Sequence, residues 1–258
     1  MTTPVAAAKK QLRSLIKQRL STLSPEAVQA QSMCAISCSP RKEAQDLTSN
    51  TSGRSVFETL KDFKAYQDAK RISIYLAMPA AEVQTDAIVR HALGTGKQVF
   101  VPYLYKSTLS IPDSPARIMD MVHLKSIQDY ESLARDKWNI PSIDPSTVPN
   151  RERILGGDAM ATLDLMLVPG VAFDTDADGS LRRLGHGKGF YDFFLNRYFA
   201  GAAEEGGKGS SLRLIALGLK EQLLDETAPE EIPMGFYDRK LHGLILGDGK
   251  IIESPKDQ

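Results

Sequence analysis

Between Arg182 and Asp192 the chain reads RRLGHGKGFYD: glycines at 185, 187 and 189, a lysine at 188, two arginines ahead and a carboxylate behind. Glycine has no Cβ, so the backbone can take positive φ and come close to a ligand. The amides of a loop that opens a helix face an anion, and the helix dipole adds to the attraction. Lys188 brings a point charge and Arg183 a planar fork suited to phosphate oxygens. Together these features suit a polyphosphate, although a plain glycine-rich turn would explain the three glycines taken alone. The spacing differs both from the phosphate loop that ends in Gly-Lys-Ser/Thr and from the dinucleotide fingerprint. Asp192 reads in two ways, as a favourable charge at a helix N-terminus or as a Mg²⁺ ligand beside bound phosphates.

These residues need a frame. "RISIYLAMP" from Arg71 sets Ile72, Ile74 and Leu76 against Ser73 and Tyr75, the alternation of a strand. "KQVFVPYL" from Lys97, "LRLIALGL" from Leu212 and "LHGLILGD" from Leu241 read as further strands. Leu163 to Phe173, apolar at nearly every position, reads as a strand buried on both faces and ending near Pro169. Helical spacing runs through Leu12, Leu15, Ile16, Leu20 and Leu23, and Ser24-Pro25-Glu26 opens a second helix. Thr85-Asp86 caps a short helix ending at Gly94, and "FYDFFLNRYF" forms a helix with Phe190, Phe193, Phe194 and Arg197 along one side. Strands alternating with helices predict an α/β fold, a mostly parallel sheet with helices on both sides. In such sheets ligands collect beyond the carboxyl ends of strands, which is where the glycine loop falls.

Lys+Arg and Asp+Glu both number 32, so formal net charge is zero. That balance speaks against a dedicated nucleic-acid binder and leaves room for a local cationic pocket. Cys34 and Cys38 alone make neither a disulfide framework nor a zinc quartet. No apolar run reaches the roughly 18 residues of a membrane span. The basic, acid-poor start has the composition of a mitochondrial presequence, but its regular apolar spacing favours a helix of the mature protein. Residues 39–55 and 201–211 read as flexible surface insertions within a single domain covering 1–258.

With these residues in place, the chain resembles the 5-formyltetrahydrofolate cyclo-ligase family, also called 5,10-methenyltetrahydrofolate synthetase. "LVPGVAFD" followed by "RRLGHGKGFYD" is similar to its signature, with Phe190 where a tyrosine is usual. "KKQLR" (Lys9 to Arg13), "SIYLAMPAAEVQT" and "KWNIPSID" match three further stretches in order. The resemblance implies the three-layer α/β domain shared with sugar-phosphate isomerases and coenzyme A transferases. It also implies a ligase that uses ATP and Mg²⁺ to convert 5-formyltetrahydrofolate to 5,10-methenyltetrahydrofolate, releasing ADP and phosphate.

Carried over residue by residue, the resemblance assigns ATP to Lys9, Lys10, Gln11, Leu12 and Arg13 and to Arg183, Leu184, Gly185, His186, Gly187, Lys188, Gly189, Phe190 and Tyr191. It gives the folate to Leu76, Glu82, Trp138 and the run His186 to Phe190, and Mg²⁺ to Asp192 and Asp238. Lys188 and Arg183 would be the catalytic pair. The expected partners are small molecules, with neither nucleic acid nor membrane, for a monomer in the cytoplasm, the mitochondrion being the alternative. Two rival readings stand beside this one: a paralogue that holds nucleotide or folate without turnover, and a sugar-phosphate isomerase on the same fold, which would need no ATP.

Overall fold

A computed structural model describes residues 4–33, 54–107, 115–156, 161–204, 211–224 and 230–255. Cys34, Cys38 and most of the two expected insertions, 39–53 and 205–210, lie outside the described residues. The chain runs α1 (Pro4–Leu20), α2 (Pro25–Ser32), α3 (Val56–Asp62), α4 (Lys64–Asp68), β1 (Arg71–Ser73), α5 (Asp86–Gly94), β2 (Gln98–Lys106) and β3 (Arg117–Leu124). It continues with α6 (Ile127–Glu131), β4 (Ala134–Arg135), β5 (Pro141–Ser142), β6 (Leu165–Val168), β7 (Ala172–Thr175) and β8 (Leu181–Leu184). Then follow α7 (Phe190–Glu204), β9 (Arg213–Gly218), β10 (Gly243–Leu246) and β11 (Ile251–Glu253).

Seven strands form one sheet in the order β11-β10-β9-β6-β1-β2-β3. The junctions from β10 through β2 are parallel, and only the outermost strands, β11 and β3, pair antiparallel. Because side chains alternate along a strand, the sheet feeds two cores. Val99, Val101, Leu165, Leu167, Ile215 and Leu217 pack with Leu12 and Ile16 of α1, Leu60 of α3 and Ile88 of α5. Phe100, Met166, Val168, Leu214, Ala216 and Leu244 pack with Phe194, Leu195 and Tyr198 of α7. The fold is therefore α/β, with a mostly parallel sheet between two helical layers. Among the described residues no helix is long and apolar enough to cross a membrane.

The structure departs from the sequence-based expectation in several places. The strand expected to end near Pro169 does so, β6 stopping at Val168, but the apolar residues beyond it begin a further strand, β7 from Ala172, which pairs antiparallel with β8. Pro169 has no N–H to continue a ladder, and Gly170 leaves space that the Phe173 ring fills, its Cζ standing 2.5 Å from where a Cβ would be. The residues on both sides of the bend are buried, so composition carries no mark of where β7 begins. Arg182, Arg183 and Leu184 belong to β8, which leaves Gly185–Gly189 as the loop.

The buried stripe of α7 is Phe194, Leu195, Tyr198 and Ala202, displaced from the expected Phe190, Phe193, Phe194 and Arg197. Ala202 is in that stripe because the helix takes up the first four residues of the expected 201–211 insertion. Thr85 does not cap α5; its hydroxyl donates to the Tyr75 carbonyl at 2.7 Å and ties the helix to the chain beyond β1. Ser24 caps α2 as expected. Ser55, at the end of the 39–55 stretch, is buried and caps α3. Strand β3 carried no expectation, since Asp120 and His123 interrupt its apolar pattern. Asp120 is nonetheless fully buried, accepting from the Met121 and Leu155 amides and pairing with Arg153 at 3.0 Å.

Candidate active site

The hairpin β7–β8 delivers Arg183 beneath the glycine loop. Its guanidinium is almost fully buried, with Nη1 donating to the Pro169 carbonyl at 3.2 Å and Nη2 reaching both Asp192 oxygens at 2.9 Å. The fork expected to face a phosphate thus braces the strand end and the first turn of α7 from behind. Gly185 makes room for it: a Cβ there would sit 3.0 Å from Arg183 Nη1.

Gly187 and Gly189 hold φ of +94° and +68°, the left-handed region that glycine enters without strain. At the loop's crest Lys188 is exposed and makes no hydrogen bond or ion pair among the described residues. Helix α7 starts at Phe190, so the positive end of its dipole lies at the end of the loop that carries Lys188.

Helix α1 crosses beside the loop. Lys9 and Arg13, four residues apart, share one face. Arg13 Nε donates to the Gly185 carbonyl at 2.7 Å, and Arg13 Cζ lies 3.2 Å from where a Cβ on Gly187 would be. Lys9 pairs with Asp238. Leu12 points into the core, while Lys10 and Gln11 face solvent. Of the five expected ATP residues of α1, Arg13 therefore brings its side chain to the loop and Lys9 brings its own to Asp238. Leu184 and Leu76 are likewise core side chains.

Asp192 and Asp238 stand on adjoining segments. The amide of Arg239, one residue past Asp238, lies 3.4 Å from Asp192 Oδ1. Asp238 Oδ2 takes Lys9 and the Gly235 amide, and Oδ1 has no hydrogen-bond partner among the described residues. Two hard oxygen donors next to a cationic loop fit the chemistry of Mg²⁺, although Arg183 and Lys9 occupy oxygens of both. No cluster of three or more metal-ligating side chains occurs among the described residues, so phosphate and water would have to complete such a shell.

A hollow of about 430 Å³ opens on the other flank of the loop, lined largely by apolar groups including Leu20, Val28, Met78, Pro79 and Val171, with His186 at its edge. Glu82 lies beside it, 5 % exposed, its Oε2 accepting the Met78 amide at 3.0 Å and its Oε1 3.3 Å from His186 Nε2. Burial raises the Glu82 carboxyl to about 7, against the smaller downward pull of the Met78 N–H. Burial lowers His186 to about 4, helped by Lys17, Arg183 and Arg13. At neutral pH the imidazole is therefore uncharged, and its contact with Glu82 is no ion pair. Tyr191, partly buried against both cores, has Arg183 5.6 Å from its ring, and the desolvation of its hydroxyl lifts it well above the usual range.

Trp138 is not drawn into this assembly. It is 51 % exposed at the β4–β5 turn, with Lys137 over its ring and its amide on Asp136, and no hydrogen bond or ring contact among the described residues joins it to the loop. Asn196 and Arg239 were not anticipated. Asn196 Nδ2 donates to the Asp192 carbonyl at 2.8 Å and to the Tyr237 carbonyl at 3.0 Å, while Arg239 Nε donates to Asn196 Oδ1 at 2.8 Å. The four-residue step from Asp192 to Asn196 was a usable signal; the approach of Arg239 was not. Gln222 also went unseen, its buried amide donating to the Gly170 carbonyl at 2.7 Å and holding the bend after β6. His242 accepts the Leu214 amide on Nδ1 at 2.9 Å and so ties the start of β10 to β9.

Comparison with known proteins bears on this arrangement. The model of the 5-formyltetrahydrofolate cyclo-ligase family matches residues 5–246. A "Probable 5-formyltetrahydrofolate cyclo-ligase" of Schizosaccharomyces pombe is 29% identical over 246 residues, covering 95% of this chain and 98% of that one. A 5-formyltetrahydrofolate cyclo-ligase of Mus musculus is 31% identical over 245 residues, covering 95% and 96%. A solved 5,10-methenyltetrahydrofolate synthetase from Mycoplasma pneumoniae aligns over 94% of this chain and 99% of its own, at 16% identity and a TM-score of 0.47. Matched over nearly its whole length, the chain belongs to the 5-formyltetrahydrofolate cyclo-ligase family of ligases.

Proposed function

We propose that this chain closes the 5-formyltetrahydrofolate ring to 5,10-methenyltetrahydrofolate, driven by cleavage of ATP. The supporting observation is that Arg13 and Lys9, on one face of α1, reach the Gly185–Gly189 loop and Asp238 respectively, with an apolar hollow on the flank of His186. A formamide oxygen is a poor leaving group. Moving the γ-phosphoryl group from ATP onto that oxygen breaks the β–γ bridge, releases ADP and forms a carbon–oxygen–phosphorus link. N10 then attacks the formyl carbon and loses its proton, and the oxygen departs within inorganic phosphate.

Such a transfer needs positioning and charge neutralisation more than covalent help. The loop amides and Lys188 would hold the terminal phosphates, and Arg13 and Lys9 would flank them. Arg183 would add charge from below while keeping Asp192 in place. Asp192 and Asp238 would hold Mg²⁺, which when bound neutralises phosphate charge. The hollow beside His186 would take the reduced pterin, with the Glu82 carboxylate accepting from its N–H groups.

One absorbance trace tests the reading. The methenyl product absorbs in the near ultraviolet and the 5-formyl substrate does not. The signal should grow only with ATP and Mg²⁺ both present. No signal under those conditions, or an equal one without ATP, would count against it.

A further inference from the structure

Phe236 and Tyr237 are the two most exposed large hydrophobic side chains among the described residues, at 95 % and 71 %, and they are neighbours in sequence. Nearly complete exposure of a phenylalanine leaves its apolar area in water, with no packing in the free protein to account for it. Their rings meet edge to face, centroids 5.2 Å apart and planes at 88°, forming an open corner.

This corner is fastened to the phosphate-binding candidates. The Gly235 amide is held by Asp238, and Asp238 by Lys9. The Tyr237 carbonyl is held at 3.0 Å by Asn196, whose same Nδ2 donates to the Asp192 carbonyl at 2.8 Å. Phe236 stands two peptide links from Asp238, at most about 7.6 Å between Cα atoms. A ribose and a phosphate or two bridge that kind of span.

We infer that the Phe236–Tyr237 corner is the seat of the nucleotide's adenine ring, a base lying flat on one ring and meeting the edge of the other. The seat rests on the proposed ATP-dependent reaction and adds to it the element that recognises the base. Offset stacking and edge contact are the favoured geometries for flat π-systems, and the seat exposes one face of each kind. Stacking on an aromatic side chain is sequence-tolerant for bases and strong enough to be read in affinity.

The test is the double variant Phe236→Ala, Tyr237→Ala, with Phe236→Trp as the conservative control. Steady-state kinetics should show KM for ATP raised about tenfold in the double variant and near the parent value in Phe236→Trp, with KM for 5-formyltetrahydrofolate unmoved. Calorimetry with inorganic tripolyphosphate, which has no base, should give equal affinity for parent and double variant. An unchanged KM for ATP would overturn the inference. So would a tripolyphosphate affinity that falls by the same factor as that for ATP, since the loss would then lie in the phosphate site. The parent protein decides the underlying reading separately: turnover that ignores ATP would defeat the proposed reaction before any variant is made.

Discussion

Lys9 in the first helix is ion-paired with Asp238, 229 positions further along the chain. The pair closes the loop site by bringing α1 against the segment that precedes β10. In the proposed reaction it would set a cation and a metal-binding carboxylate beside the same phosphates. Lys9→Ala should raise KM for ATP about tenfold, the scale of one charge-assisted contact, and lower stability by about 1 kcal/mol. Denaturant titration and steady-state kinetics measure both. An ATP dependence identical to the parent's would remove Lys9 from the nucleotide site.

Gly187 and Gly189 separate backbone strain from crowding. Both hold positive φ, but a Cβ on Gly187 would also stand 3.2 Å from Arg13 Cζ, whereas one on Gly189 would meet nothing within 4 Å. Gly189→Ala should cost only the left-handed backbone penalty, about 1–2 kcal/mol. Gly187→Ala should add displacement of Arg13 and lower kcat/KM for ATP by at least about tenfold more than Gly189→Ala does. Equal effects of the two substitutions would mean that the approach of Arg13 to the loop has no part in binding.

Glu82 predicts a pH dependence with a definite sign. Its folded-state value of about 7 stands above the ordinary 4.5, so folding takes up a proton between those two values and stability falls as pH rises through that window. Above pH 7 the full cost is present, on the order of 3 kcal/mol. Glu82→Gln should therefore be more stable than the parent at pH 8 and close to it at pH 4.5. His186, lowered to about 4, acts with the opposite sign between pH 4 and 6.5, which is why the comparison is made against the parent at each pH. Chemical denaturation at the two pH values is the measurement, and a variant no more stable at pH 8 would contradict the assignment. The same substitution should weaken folate binding, because an amide cannot accept from two pterin N–H groups as a carboxylate does.

Much of this was legible in the residues. Apolar strands separated by helical spacing gave the parallel sheet, and Ser24-Pro25-Glu26 gave the start of α2 to the residue. The glycine loop stood out because a turn needs only its glycines, whereas this run also carries a lysine and two arginines. Three features stayed hidden for physical reasons. The start of β7 as a separate strand was masked because its first residues are buried like those of β6, and burial is what composition records. The inward turn of Arg183 depends on Asp192 and the Pro169 carbonyl being close in space, which spacing along β8 does not encode. Strand β3 was lost because its Asp120 is neutralised by Arg153, a partner 33 residues away. Trp138 shows the reverse case, a motif residue that the folded chain leaves at an exposed turn.

The central claim is that the Gly185–Gly189 loop grips the terminal phosphates of ATP, and Lys188 is its exposed, uncommitted cation. Turnover of Lys188→Ala, followed by absorbance with saturating 5-formyltetrahydrofolate and Mg-ATP, tests it most directly. The account predicts an intact fold by thermal denaturation and a kcat lowered at least about a hundredfold, the scale of losing one charge partner in the transition state. Turnover within about threefold of the parent, against that hundredfold loss, would contradict it.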